Sequence, residues 1–144
     1  MVYLLGFKSR MKKRILVIDD DPGVQEIFKL IFEKAGYDTV VLSGALPVLK
    51  DEFELPDLFV LDKQLSGTDG VDLCRHLKTN ERTRSIPVIM ISAAPDIDSL
   101  SMAAGADGYI EKPFMTKQLL ETVEDALHKR LNNEPAITPG PGNS

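Results

Sequence analysis

The sequence predicts an α/β protein with a doubly wound parallel sheet and helices on both faces. Apolar runs at Ile15–Ile18, Leu58–Leu61 and Val88–Ile91 have the length and composition of strands that are buried on both sides, as in a parallel sheet. Segments with helical periodicity and one apolar stripe lie between these runs. A strand followed by a helix is repeated five times in this way, and such alternation is typical of a sheet covered on both faces.

The first strand–helix unit has a clear apolar pattern, and the second has a weaker one. After the Ile15–Ile18 strand comes a helix whose apolar positions recur at i, i+3, i+4, i+7 and i+11. These positions are Val24, Ile27, Phe28, Ile31 and Ala35. Gly36 is expected to end this helix. Thr39–Leu42 is a weaker strand, and a helix near Ala45–Lys50 requires Pro47 to lie in its first turn.

The remaining units follow the same pattern. The third strand precedes a helix that begins near Gly70, with an apolar stripe of Val71, Leu73, Cys74 and Leu77. A less regular helix is expected near Asp96–Ala104 after the fourth strand. Tyr109–Ile110 is a short fifth strand, and Thr116 is predicted to be the N-cap of the last helix. The stripe of that helix consists of Leu119, Leu120, Val123 and Leu127.

The two ends of the 144-residue chain differ from its middle. In residues 1–13 a short apolar stretch precedes the basic residues, which is the reverse of a signal peptide. We interpret this segment as a non-core extension, either a vector remnant or an early start with Met11 as the natural first residue. The alternative is a short ordered arm that packs on the domain. The domain is predicted at 14–130, and residues 131–144, rich in Pro and Gly, are expected to be a disordered tail or a truncated linker.

Composition restricts the class of protein. Lys and Arg number 17 and Asp and Glu number 22, for a net charge of −5. This balance argues against direct nucleic-acid binding, which requires clustered positive charge. No apolar run approaches the length of a membrane span, so we expect no membrane association. Cys74 is the only cysteine; it is expected to pack as a small apolar residue, and it suits a reducing compartment such as the cytoplasm.

Reactive side chains follow the predicted strands at their carboxyl ends. Asp19 and Asp20 follow the first strand, Asp62 the third, Ser92 the fourth and Lys112 the fifth. Ligands of open parallel sheets bind beyond these strand ends, so we expect the five side chains to converge. Three carboxylates in one cleft repel one another unless a cation intervenes, and oxygen ligands favour Mg²⁺ or Mn²⁺. A carboxylate can accept a phosphoryl group, whose charge the ammonium and the hydroxyl then offset.

Four segments resemble the receiver domain of two-component response regulators, the CheY-like group included. They are ILVIDDDPG (15–23), PDLFVLDKQLSGTDG (56–70), IPVIMISA (86–93) and GADGYIEKPF (105–114). The resemblance covers residues 14–130. It implies a flavodoxin-like (βα)5 fold with strand order 2-1-3-4-5.

The resemblance also implies a function. The domain is expected to accept a phosphoryl group from a histidine kinase or a histidine phosphotransfer protein, with Mg²⁺ or Mn²⁺ as cofactor. It would not be an enzyme acting on other substrates, because it would catalyse only its own phosphorylation and dephosphorylation. A downstream protein or a missing output domain would respond to the change.

Individual positions match the metal and acceptor residues of the family. By resemblance, Asp19 and Asp20 are the metal-binding acids. Asp62 is the phosphoacceptor and a further metal ligand. The backbone carbonyl of Gln64 completes the metal site.

Other positions match the switch of the family. By resemblance, Ser92 turns toward the phosphoryl group and Lys112 pairs with it. Tyr109 is the aromatic residue that moves inward with the hydroxyl. The bond between Lys112 and Pro113 is expected to be cis.

The sequence departs from the family at several places. Lys63 stands where an aliphatic residue is usual, and it either assists the phosphodonor or points to solvent. Ser66 replaces a common proline, from which we expect a looser loop. Gln64 and Ala94 occupy positions that set the lifetime of the phosphoryl group. Asp21 is interpreted as a helix N-cap.

Two other functions are compatible with the predicted fold. A pseudo-receiver would use the same fold as a phosphorylation-independent interaction module, although the acids, hydroxyl and lysine argue against it. A phosphatase would use Asp62 as nucleophile, but the second acid of an Asp-x-Asp pair is replaced by Gln64.

Overall fold

The five strands of one sheet alternate with five helices along the chain in the structure, a computed structural model that describes residues 3–4, 7–8 and 12–132. The elements are β1 (Arg14–Ile18), α1 (Pro22–Lys34), β2 (Asp38–Leu42), α2 (Leu46–Leu49), β3 (Leu58–Asp62), α3 (Gly70–Thr79), β4 (Val88–Ser92), α4 (Ile97–Ala104), β5 (Gly108–Glu111) and α5 (Thr116–Asn132). The five strands pair in parallel in the order β2-β1-β3-β4-β5. The predicted doubly wound α/β fold and its strand order are therefore confirmed.

The sheet is covered on both faces, as its apolar strands predict. On β1, Ile15 and Val17 face the side of α1 and α5, and Leu16 and Ile18 face the side of α2, α3 and α4. All four side chains are at most 1% exposed. Alternation of side chains along a strand thus puts apolar groups into two separate cores.

Helix α1 packs mostly through its predicted stripe, of which Val24, Phe28 and Ile31 contact the core on this face of the sheet. Ile27 is 53% exposed and Ala35 is exposed, whereas Phe32, outside the predicted stripe, is fully buried. Phe32 stacks on Phe28 with their ring centroids 5.9 Å apart, and Phe28 stacks on Phe114 at 5.8 Å. The large rings bury the most apolar area, so they set the rotation of the helix.

The limits of two helices differ from prediction. Helix α2 has only four residues, and its Pro47 lies in the first turn, where the missing N–H has no intrahelical partner in any case. Thr116 was predicted to be the N-cap of α5 but is its first helical residue. The reason is that the Met115 carbonyl already accepts the Leu119 N–H at 3.1 Å, which makes Met115 the cap position.

The termini are described only in part. Tyr3–Leu4 and Phe7–Lys8 pair with each other in an antiparallel ribbon that is separate from the five-stranded sheet. Helix α5 extends to Asn132, two residues into the segment predicted as a tail, and residues 133–144 lie outside the described residues. The interpretations of 1–13 and of the tail therefore stay predictions. Among the described residues, no helix is long and apolar enough to cross a membrane.

Candidate phosphoryl-acceptor site

The carboxyl ends of β3, β4 and β5 bring three predicted site residues to one edge of the sheet. Asp62 is in register with Ile91, and Ser92 is in register with Glu111. The Lys112 N–H donates to the Ser92 carbonyl at 2.9 Å, which continues the ladder one residue past β5. These pairings place Lys112, Ser92 and Asp62 on adjacent strand ends, as the topology predicts.

Asp62 is held between a lysine and its own loop. The Lys112 ammonium lies 3.4 Å from Oδ2, and the Gln64 N–H donates to Oδ1 at 3.1 Å. The Asp62 residue is 9% exposed and therefore still reachable from solvent. A carboxylate that is oriented by two contacts and open on one side is suited to nucleophilic attack.

Asp19 is a buried acid with an unused oxygen. It is 1% exposed, its Oδ1 accepts the Asp21 N–H at 2.9 Å, and its buried Oδ2 has no hydrogen-bond partner. Burial raises the pKa of Asp19 to about 6; repulsion from Asp62 also raises it, while the Lys112 charge opposes the increase. A buried, unpartnered carboxylate oxygen beside a second carboxylate fits a site for a hard cation.

Asp20 is engaged by the loop that follows β3. Its Oδ2 accepts two hydrogen bonds from Ser66, at 2.9 Å from the N–H and at 2.7 Å from the hydroxyl. These bonds hold the pKa of Asp20 below its usual value, and the Lys112 charge acts in the same direction. Within the part of the chain that is described, no three acidic, His or Cys side chains are grouped closely enough to hold an ion. The acids thus lie at one sheet edge without forming a closed ligand group.

The remaining predicted residues lie on or directly after β4 and β5. Ser92 is 2% exposed, and its Oγ accepts the Ala94 N–H at 2.9 Å, so its own proton is still available for donation. Tyr109 is 44% exposed on β5, where it lines a cavity of about 430 Å³ between α4 and β5. The Lys112–Pro113 peptide bond is cis.

Gly70 is a site residue that the sequence reasoning missed. The sequence indicates only a helix start at Gly70, yet a Cβ there would lie 2.3 Å from the Asp62 carbonyl and 2.6 Å from the Lys63 Cα. Its N–H donates to the Lys63 carbonyl at 2.7 Å. Asp69 then caps α3 through the Val71 N–H at 2.8 Å. The Asp-Gly pair before an apolar stripe was the available signal, and the glycine permits α3 to approach the end of β3 closely.

Three secondary interpretations can now be compared with the structure. Asp21 accepts the Gly23 N–H at 2.8 Å and caps α1, which confirms its predicted role. Cys74 is fully buried, as predicted, and burial raises the pKa of its thiol to about 11. The Lys63 ammonium lies 4.0 Å from Oδ2 of Asp69, so it faces the cap of α3.

Comparison with known proteins identifies the family. The family described as "Response regulator receiver domain" matches residues 15–124 of this chain. The DNA-binding response regulator MtrA of Mycolicibacterium smegmatis is 39% identical over 129 residues, which cover 88% of this chain and 55% of MtrA. The CheY-like receiver domain protein of Methanospirillum hungatei JF-1 has a TM-score of 0.76 at 29% identity, over 84% of this chain and 98% of that structure.

A third protein is similar in fold. The receiver domain of sensor histidine kinase PA1611 from Pseudomonas aeruginosa PAO1 is 22% identical, with a TM-score of 0.73 over 81% of this chain and 98% of that chain. Its structure is described with a magnesium ion coordinated in the active-site cleft.

The fold and the site thus define a receiver-type α/β domain. The chain belongs to the response regulator receiver domain family. It spans about half the length of the curated relatives it matches.

Proposed function

We propose that this domain is a phosphoryl-accepting switch of a two-component system, phosphorylated on Asp62. The observation that carries the proposal is the arrangement around that side chain. The Lys112 ammonium lies 3.4 Å from Oδ2 of Asp62. The Asp19 carboxylate is close enough to Asp62 that repulsion between the two acids helps to raise the pKa of Asp19. An acceptor between a cation and a second acid has the charges that phosphoryl transfer requires.

The chemical step is a displacement at phosphorus. A carboxylate oxygen of Asp62 attacks the phosphorus of a phosphohistidine, the P–N bond breaks, and the histidine of the partner leaves. The partner is a histidine kinase or a histidine phosphotransfer protein. Water later attacks the acyl phosphate, which releases inorganic phosphate and restores the Asp62 carboxylate. The domain therefore acts only on its own aspartate and turns over no other substrate.

Residues at the strand ends match the donor set of a magnesium site. The groups that would hold the ion are the carboxylates of Asp19, Asp20 and Asp62 and the backbone carbonyl of Gln64. Mg²⁺, when bound, supplies positive charge beside the phosphoryl oxygens. The unpartnered Oδ2 of Asp19 supports this assignment. Mn²⁺ has the same preference for oxygen ligands.

Ser92 and Tyr109 are proposed to transmit the change. Ser92 retains a hydroxyl proton, which it donates to a phosphoryl oxygen after giving up its contact with the Ala94 N–H. Tyr109 is half exposed, so it has room to move toward the volume that the Ser92 side chain vacates. The proposed result is a change in the surface formed by α4, β5 and α5.

The output of the switch is a protein contact at that surface. The partner is either a separate protein or an output domain, and relatives such as MtrA are named DNA-binding response regulators. Direct nucleic-acid binding by residues 14–130 is not part of the proposal, because the chain has a net charge of −5. A cytoplasmic location fits a protein that meets a kinase and its phosphohistidine.

The test is phosphorylation by a small donor. Purified protein is incubated with Mg²⁺ and acetyl phosphate, and its intact mass is measured. We expect one phosphoryl adduct that is lost on standing, is absent when EDTA replaces Mg²⁺, and is absent in Asp62→Asn. The matched control is Asp69→Asn, which keeps a good helix cap and should retain the adduct. No adduct, or an undiminished adduct in Asp62→Asn, would contradict the proposal.

A further inference from the structure

We infer that Ser66 is a positioning residue for the metal site: it orients the Asp20 carboxylate through two hydrogen bonds and thereby raises the affinity of the site for a divalent cation. The inference rests on the proposed function only in taking Asp20 as a metal ligand. It concerns a residue at which the sequence departs from the usual proline of the family.

Ser66 contacts one oxygen of the Asp20 carboxylate with two donors. Both bonds from Ser66, at 2.9 Å from the N–H and 2.7 Å from the hydroxyl, end on the same oxygen, Oδ2 of Asp20. Two donors on one oxygen determine the direction in which the carboxylate plane points. Oδ1 is not used by Ser66, so the second oxygen remains for an ion.

Ser66 lies in the turn of a short hairpin that follows β3. Ser66 and Gly67 connect Gln64–Leu65 and Thr68–Asp69, which pair as a short antiparallel hairpin. The same loop carries the Gln64 carbonyl proposed as a ligand, and the Gln64 N–H donates to Asp62 at 3.1 Å. The bonds of Ser66 therefore join the loop on the acceptor side of the site to the acid on the β1 side.

A proline at position 66 would remove both donors to Asp20. Proline has neither an N–H nor a hydroxyl, so a chain with proline at position 66 makes neither bond. Groups that hydrogen-bond to a metal ligand from outside the coordination shell orient the ligand, and their loss typically costs ~10–100-fold in metal affinity. Ser66 is exposed to solvent, so we expect the lower end of that range.

Three variants of Ser66 separate the two bonds. Ser66→Thr keeps the N–H and the hydroxyl, Ser66→Ala keeps the N–H alone, and Ser66→Pro keeps neither. The proline variant is compatible with the turn, because Gly67 has φ of 78° and Ser66 is not among the positive-φ residues. Proline is favoured at the first of the two central turn positions when the second is a left-handed glycine.

The experiment is a titration of each purified protein with Mn²⁺, and then with Mg²⁺, by isothermal calorimetry at fixed pH and ionic strength. We expect the Thr variant to bind like the unmodified chain, Ser66→Ala to bind about tenfold more weakly, and Ser66→Pro to bind more weakly still. The matched control is Ser99→Ala. Ser99 is an exposed serine of α4 whose hydroxyl donates to the Asp96 carbonyl at 3.2 Å, and this control should not change the Kd. Amide NMR spectra of ¹⁵N-labelled samples establish that each variant is folded.

The outcomes are distinguishable. If the unmodified chain binds the ion and Ser66→Ala binds it equally well or more tightly, the inference about Ser66 is overturned while the proposed function stands. If Ser66→Thr fails to restore what Ser66→Ala loses, the hydroxyl is not the cause and the inference is also overturned. If the unmodified chain binds neither ion, both the inference and the magnesium-dependent function are overturned.

Discussion

Replacing Asp19 by asparagine should stabilise the metal-free protein at neutral pH. The buried Oδ2 of Asp19 has no hydrogen-bond partner, and its neighbour Asp62 repels it. Asparagine has nearly the same shape and removes the charge. Its Oδ1 still accepts the Asp21 N–H, and its amide N–H groups are donors beside Asp62. The cost of keeping this acid ionised is therefore removed without creating a cavity.

The size of the effect follows from the pKa of Asp19. The pKa rises from 3.8 to about 6, which at about 1.4 kcal/mol per unit gives about 3 kcal/mol. The site opens to solvent beside Lys112, so screening reduces this to about 1.5 kcal/mol. For a urea slope of about 2 kcal/mol/M, the unfolding midpoint should rise by about 0.8 M.

The dependence on pH has a definite sign. A carboxyl group with a raised folded-state pKa is protonated in the folded protein over a range where the unfolded chain has already lost the proton. The contribution of such a carboxyl group to stability is complete below pH 3.8 and is lost as the pH rises through about 6. The advantage of Asp19→Asn should therefore be largest above about pH 6 and should shrink toward pH 4.

The assay is urea unfolding of both proteins in EDTA, and again with Mg²⁺. In Mg²⁺ the unmodified protein should gain stability by mass action and Asp19→Asn should gain little, so the difference in EDTA should shrink or reverse. Asp21→Asn is the control, since asparagine caps a helix as well as aspartate does. An Asp19→Asn variant that is no more stable than the parent in EDTA at neutral pH would show that the ionised Asp19 carboxylate does not destabilise the metal-free fold.

Three further predictions follow from particular contacts. Gly70→Ala should lower the unfolding free energy by about 2 kcal/mol or more, because its Cβ would meet the Asp62 carbonyl at 2.3 Å. Gly44→Ala, with open space around it, should change the unfolding free energy by less than about 0.5 kcal/mol. Equal effects of the two substitutions would contradict the clash. Phe32→Ala should cost about 3–5 kcal/mol in urea unfolding, and a loss under about 1 kcal/mol would contradict its place in the core. Lys112→Met should raise the pKa of Asp19 above about 6 in an NMR titration, since Lys112 lowers it; a fall would contradict the assignment.

The sheet was predictable because its signal is local. Ile15–Ile18 and Leu58–Leu61 are unbroken apolar runs, and both are buried in two cores. The strand order came from the family resemblance, since local periodicity carries no pairing information. The packing face of α1 was predictable only in part: Val24, Phe28 and Ile31 of its apolar stripe contact the core, but Ile27 is exposed. Ile27 and Phe32 are both apolar, and the larger ring is the one that is buried, stacked on Phe28 and edge-on to Tyr37.

The site was predictable only where topology brings distant residues together. Asp62 and Lys112 are 50 positions apart, and the rule that ligands bind beyond parallel strand ends predicts their contact. The contact of Ser66 with Asp20, 46 positions apart, had no such rule behind it. This contact depends on the path of the loop after β3. The sequence indicates only that Ser66 stands where a proline is common in the family.

Asp62, Lys112 and Ser92 should respond together to a phosphoryl group, and a titration with beryllofluoride in the presence of Mg²⁺ measures that response. The chain has no Trp, so the readout is the set of amide shifts in a ¹⁵N-labelled sample. We expect saturable shifts at these three residues and at Tyr109, and none of them in Asp62→Asn. An unchanged spectrum under the same conditions would overturn the phosphoryl-accepting role of Asp62 and would favour a phosphorylation-independent interaction module.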